Sequence, residues 1–200
     1  YLGDPDFVRN PTDRLLSKAY AADLRREIGD RATPTPAFVA GPRTGGSTTH
    51  YSIVDADGNA VSCTTTLNDS YGSAVTVTGA GFLLNDEMDD FATAPGKPNM
   101  YGLVQGEANA IAPGKRMLSA MTPSIVLDPE RRLLMVLGTP GGPRIITMVY
   151  HVISNVIDHR MPLPEAVAAP RMHHQGLPDT LQVEPGGFPP PTLDSLRRRG

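Results

Sequence analysis

A length of 200 residues fits one domain, and 40% hydrophobic residues are enough for a core. A net charge of −3 excludes a polyanion binder driven by overall charge, so no nucleic-acid partner is expected. No run approaches the ~18 consecutive apolar residues of a membrane span, and the single cysteine, Cys63, excludes an internal disulfide framework.

Tyr1-Leu-Gly-Asp-Pro-Asp-Phe7 is not a signal peptide, and Leu193–Gly200 stops in mid-helix by its pattern, so a piece of a longer protein is expected. Asn10-Pro11 can open a helix, with Asn as cap and Pro in its first turn. Leu16, Tyr20, Leu24 and Ile28 recur at spacing four, and Gly29 can end it. Residues 30–47 lose periodicity and read as an exposed, flexible linker rich in Pro and Gly.

From Thr48 the pattern is strand-rich. His50–Asp55 and Ala60–Leu67 flank Asp55-Ala-Asp-Gly-Asn59, a strong hairpin signal. Phe91–Lys115 is a Gly/Pro/Asn stretch too long for a plain connection, and so a candidate lid. Thr122–Leu127 and Leu133–Leu137 predict a second hairpin around Asp128-Pro-Glu-Arg131. A Gly-rich turn at Gly138–Gly142 precedes a helix over Arg144–Ile157, apolar on most faces and expected to be buried between layers. A shorter helix is expected over Leu163–Ala169. Hairpins with buried helices suggest α+β layers. The slightly basic residues 1–47 and the acidic residues 48–200 agree with a boundary at Thr48.

Asp86-Glu-Met-Asp-Asp90 holds four carboxylates in five residues. It is either a solvated acidic loop or a site for a substrate ammonium or metal, because like charges this close call for a cation. Gly138-Thr-Pro-Gly-Gly142 ahead of a helix offers backbone N–H groups to a phosphate, carboxylate or oxyanion, or is simply a tight turn. It lacks Gly-Lys-Ser/Thr, which argues against a nucleotide loop. Asp55-Ala-Asp-Gly-Asn59 has its Gly at the fourth position and no closing Glu, so a turn is favoured over a calcium loop. His173-His174 reads as a structural pair, since neighbouring side chains on a strand point to opposite faces. Cys63 is expected to be a buried, inert thiol. Finally, the linker runs into Ser47-Thr48, where a strand begins. If the chain were cut before Thr48, the freed α-amine could serve as general base for its own hydroxyl.

Several stretches resemble the γ-glutamyltransferase (γ-glutamyltranspeptidase) family, in its order and near its spacing. They are Thr48-Thr-His-Tyr-Ser-Ile-Val-Asp-Ala-Asp-Gly-Asn-Ala-Val61, Thr66-Leu-Asn68, Leu84-Asn-Asp-Glu-Met-Asp-Asp-Phe91, Pro98-Asn-Met-Tyr-Gly-Leu-Val104 and Gly114-Lys-Arg-Met-Leu-Ser-Ala-Met-Thr-Pro123. Pro140-Gly-Gly-Pro-Arg-Ile-Ile146 and Ala169-Pro-Arg-Met-His-His-Gln175 continue the series, and Tyr1–Phe7 is similar to a segment near the end of the large subunit. The resemblance implies an incomplete Ntn-hydrolase αββα sandwich, two stacked β-sheets between helix layers. It implies residues 1–47 as the tail of the large subunit and 48–200 as most of the small subunit, the two forming a heterodimer after autocleavage between Ser47 and Thr48.

Further expectations follow from the same resemblance. Thr48 attacks the γ-glutamyl amide of glutathione or a related compound, and water, an amino acid or a peptide accepts the group from the resulting ester. Thr66 orients Thr48, and Gly141 and Gly142 stabilise the oxyanion. Asn68, Glu87 and Asp90 hold the donor's ammonium, Ser119 its carboxylate, and Tyr101 lies in a lid loop. No metal or organic cofactor is implied, and bacterial members are usually periplasmic or secreted. The family usually has two adjacent serines where this chain has Ser119-Ala120, which favours, as the alternative, a glutaryl or cephalosporin-type acylase of the same fold. A non-maturing relative is the remaining reading.

Overall fold

The computed structural model describes residues 2–33 and 48–200, so residues 34–47 of the expected linker, including Ser47, lie outside the described residues. The single helix expected from Asn10 is instead two: α1 (Thr12–Leu15) and α2 (Lys18–Glu27). Ser17 divides them. Its Oγ donates to Arg14 O at 2.8 Å and accepts from Tyr20 N at 3.1 Å, which caps α2. Asn10 is not the cap, because its amide is spent on Gly3, accepting from its N–H at 3.0 Å and donating to its carbonyl at 2.8 Å.

The first hairpin joins β1 (Thr48–Val54) to β2 (Ala60–Thr66), slightly offset from the expected limits. Antiparallel pairing sets Thr48 opposite Thr66, His50 opposite Thr64 and Ser52 opposite Ser62. The turn forms as predicted: Asp55 Oδ1 accepts from Asp57 N and Asn59 N, and Gly58 takes φ +85°. The second hairpin pairs β3 (Ser124–Leu127), two residues shorter than expected, with β4 (Leu133–Leu137). A third, β5 (Met172–His173) with β6 (Gln182–Val183), has no counterpart in the sequence pattern.

β4 crosses one face of the first hairpin. Ser52 Oγ donates to Val136 O at 3.2 Å and Ser62 Oγ to Leu137 O at 3.0 Å. Since side chains alternate along a strand, that face also carries Thr48, His50, Thr64 and Thr66. A short 3-10 turn, Gly142–Arg144, leads from β4 into α3 (Ile145–Ile157). Along α3, Ile145, Val149 and Val152 are buried in one stripe, joined in the core by Met135, Phe91, Ala92 and Ala166 of α4 (Leu163–Ala168). The expectation that α3 is buried on most faces is corrected: Ile146, Tyr150 and Ile157 are exposed, because the described residues pack against one side of the helix only. The last element is α5 (Pro190–Arg199). Among the described residues no helix is long and apolar enough to cross a membrane.

Candidate active site

β1 begins at Thr48, and its register with β2 brings Thr48 Oγ1 to 3.0 Å from Thr66 Oγ1 in a hydrogen bond. Thr66 is held in turn, because Asn68 N donates to Thr66 Oγ1 at 2.9 Å. Asn68 is buried at the strand's end with φ +71°, a left-handed conformation that Asn tolerates better than most residues. Strand pairing thus fixes the Thr48 hydroxyl in a cleft lined by Thr48, Thr66, Asn68, Asp90, Ser119 and Gly142, among others.

The glycine turn contributes Gly142 to the same cleft. Gly141 has φ +145° and Gly142 φ +58°, conformations that side chains oppose. A Cβ on Gly142 would also lie 3.1 Å from Cε1 of the Tyr101 ring. Gly138, where the turn starts, sits against His50, whose ring leaves no room for a Cβ there. His50 lies between Thr64 Oγ1 at 2.9 Å and Ser52 Oγ at 3.0 Å. Tyr101 also lines the cleft and is held from two sides. Its hydroxyl donates to Asn68 Oδ1 at 3.1 Å, and its carbonyl accepts from Gln175 Nε2 at 3.2 Å. Burial, and then the carboxylates of Asp90, Asp69, Asp86 and Asp89, push its phenol up to about 12, so it stays a donor.

The acidic turn Glu87–Asp90 docks on the end of β2: Asp86 N donates to Leu67 O at 3.1 Å, and Asp69 N to Asp86 Oδ1 at 2.9 Å. Burial raises the Glu87 carboxyl to about 7, helped by its hydrogen bond to Asp90 and by the charges of Asp90 and Asp86. Burial likewise raises Asp90 and Asp89. Glu87 Oε2 is buried without a hydrogen-bond partner. Crowded, partly dehydrated carboxyls of this kind favour an incoming cation. Among the described residues, no group of three or more His, Cys, Asp or Glu side chains could hold a metal ion.

Ser119 reaches the cleft from a segment without helix or strand, its Oγ accepting from Met121 N at 3.1 Å. Ala120 lines the cleft beside it. The buried Asn109 supports this segment, as its Oδ1 accepts from Leu118 N at 3.0 Å and its Nδ2 donates to Asp90 O at 2.7 Å.

The structure therefore gathers Thr48, Thr66, Asn68, Asp90, Tyr101, Ser119 and Gly142 around one cleft. Gly141 stands one residue behind its wall. Glu87 does not line the cleft but bonds to Asp90 within the same turn. Ser47 lies outside the described residues. Sequence reasoning missed Asn109 and Gln175, whose partners are remote in the chain and leave no local pattern. Of the bystanders, His173 and His174 do separate. His173 is buried between Thr147 Oγ1 and Gln175 Oε1, and His174 pairs with Asp179. Cys63 is corrected: it is half-buried rather than buried, because it faces away from β4 with Tyr51, whose hydroxyl it contacts.

The model of the gamma-glutamyltranspeptidase family matches residues 1–200. The chain is 53% identical over 203 residues to a glutathione hydrolase proenzyme of a Pseudomonas species, covering 100% of this chain and 35% of that protein. It thus spans about a third of that relative's length. A mutant of the Helicobacter pylori gamma-glutamyltranspeptidase superposes with a TM-score of 0.73 at 58% identity, over 76% of this chain and 81% of that one. A cephalosporin acylase from Bacillus halodurans superposes with a TM-score of 0.79 at 29% identity, over 100% of this chain and 34% of that one. These likenesses bear out the α+β, Ntn-hydrolase expectation for the fold.

Proposed function

The chain belongs to the gamma-glutamyltranspeptidase family, and on that premise we propose that it carries the nucleophile of an autoprocessing γ-glutamyltransferase and glutathione hydrolase. Residues 1–47 end the large subunit in this reading, and cleavage of the Ser47–Thr48 bond frees the Thr48 amine. The family's bacterial members support a periplasmic or secreted location.

The observation that carries the proposal is the Thr48 hydroxyl at the head of β1, 3.0 Å from Thr66 and in one cleft with Gly142, Asp90 and Ser119. The donor's ammonium is held at Asp90, Glu87 and Asn68, and its carboxylate at Ser119. With Asn68 N–H on one side of Thr66 Oγ1, the Thr66 proton can turn to Thr48 Oγ1. The Thr48 proton then goes to its own freed amine as Oγ1 attacks the γ-carbonyl carbon. The Gly141 and Gly142 N–H groups receive the oxyanion, a contribution worth about 3–4 kcal/mol of barrier where a comparable donor is removed. The C–N bond breaks, the amine proton passes to the leaving nitrogen, and a γ-glutamyl ester of Thr48 remains. Water or an amino-acid or peptide amine attacks the ester, loses its proton to the Thr48 amine, and the hydroxyl is restored.

The test is Thr48→Ala in the full-length protein. Mass spectrometry is expected to show an uncut chain, and γ-glutamyl-p-nitroanilide turnover is expected to vanish. Normal cleavage in this variant overturns the assignment, and an uncut, inactive wild type marks a non-maturing relative.

Ala120 favours a second reading. It removes one hydroxyl from the carboxylate side of the cleft, which loosens selection for the γ-glutamyl group and leaves room for an acylase of the same fold that takes glutaryl or other side-chain amides. Glutaryl-p-nitroanilide turned over as well as the γ-glutamyl compound decides for it.

A further inference from the structure

An amino-acid donor presents its ammonium and carboxylate on one carbon, so the groups that receive them must stand at a fixed spacing. Here those groups come from the acidic turn and the Ser119 segment, which share no strand or helix. One side chain joins them. Asn109 is 1% exposed, its Nδ2 donates to Asp90 O at 2.7 Å, and its Oδ1 accepts from Leu118 N, next to Ser119, at 3.0 Å. Gln105 braces the same point: its Nε2 donates to Asp90 O at 3.1 Å, and its Oε1 accepts from Asn109 Nδ2. A planar amide with both ends occupied has little freedom, and its loss leaves buried partners unpaired.

We propose that Asn109 is a positioning residue that sets the distance between Asp90 and Ser119, and so selects donors carrying both an ammonium and a carboxylate. This rests on the γ-glutamyl reading of the site. Asn109 stands behind both segments, lines no part of the cleft and acts only through their backbones.

The test uses the full-length protein and three p-nitroanilides: γ-glutamyl, glutaryl (no ammonium) and γ-aminobutyryl (no carboxylate). The readout is kcat/KM for the first divided by that for each of the others. Asn109→Ala and Asn109→Ser are expected to lower both ratios about tenfold, the loss of roughly one buried hydrogen bond's discrimination, mainly through KM for the γ-glutamyl donor. A purely structural role reduces the active fraction and scales all three donors alike, so unchanged ratios overturn the proposal. If both variants are insoluble, Gln105→Ala decides. It removes the brace and is expected to lower the ratios about threefold, and unchanged ratios again overturn the proposal. A wild type without preference for the γ-glutamyl donor defeats the functional reading itself, an outcome visible before any variant is made.

Discussion

The carboxylate of Asp4 takes three hydrogen bonds from Arg116: from the backbone N–H at 2.8 Å, from Nε at 3.0 Å and from Nη2 at 2.6 Å. Its side chain is 1% exposed. The pair ties the segment ahead of α1 to the stretch that carries Ser119, so pieces made by a cut before Thr48 stay joined there. Side-chain and backbone hydrogen bonds from Arg116 hold the Asp4 carboxyl well below the usual carboxylate range. A depressed carboxyl stabilises the fold above its unfolded value of about 4 and loses that effect as pH falls toward its native value. Asp4→Asn is therefore expected to melt a few degrees below the wild type at pH 7. Thermal melts at decreasing pH should show the gap closing below about 4.

The carboxyl pair of the acidic turn has the opposite sign. Glu87 sits near 7 because burial disfavours its charge. Ionised Glu87 thus costs the free protein stability above that pH, and the cost disappears as pH falls to its ordinary value of about 4.3. A bound ammonium needs the ionised form. The affinity for glutamate, which carries the donor's ammonium and carboxylate, is expected to be highest above about 7 and to fall as pH drops through it. Glu87→Gln should flatten that dependence, weaken binding and raise the melting temperature at pH 8. Titration calorimetry and melting curves read both effects.

Gly142→Ala places a methyl group 3.1 Å from the Tyr101 ring at φ +58°. The left-handed backbone costs a side chain about 1–2 kcal/mol, while tilting the N–H proposed to receive the oxyanion costs about 10²-fold in kcat. A melting temperature only slightly lowered beside a large loss of kcat is the expected result.

Thr66→Val keeps the shape of the side chain and removes the hydroxyl bonded to Thr48 Oγ1 and Asn68 N. A loss of about 1–2 kcal/mol of barrier is expected, roughly 5–30-fold in kcat. KM should stay within about twofold, since no ammonium or carboxylate contact is touched.

The first hairpin was legible because its alternation and Asp55–Asn59 turn agree with each other. Helix α3 was legible as a helix but not in its burial, which depends on what packs beside it. Asn10-Pro11 imitated a helix start so well that the real cap, Ser17, was overlooked, and only the remote Gly3 reveals what Asn10 does. Strands of two residues, as in β5 and β6, are too short to show a period. The site's chemical groups were legible through motif resemblance, whereas Asn109 looked like one more turn residue in a Gly/Pro/Asn stretch. Its role comes from partners at Asp90 and Leu118, which no local window joins.

Tyr101 is gripped at three points: by Asn68 at its hydroxyl, by Gln175 at its carbonyl and by the bare α-carbon of Gly142 beneath its ring. Partial release gains little, because each remaining grip keeps the ring at the cleft it lines together with Thr48. Clearing Tyr101 from this cleft therefore takes the simultaneous loss of contacts to three separate stretches of chain, at Asn68, Gly142 and Gln175.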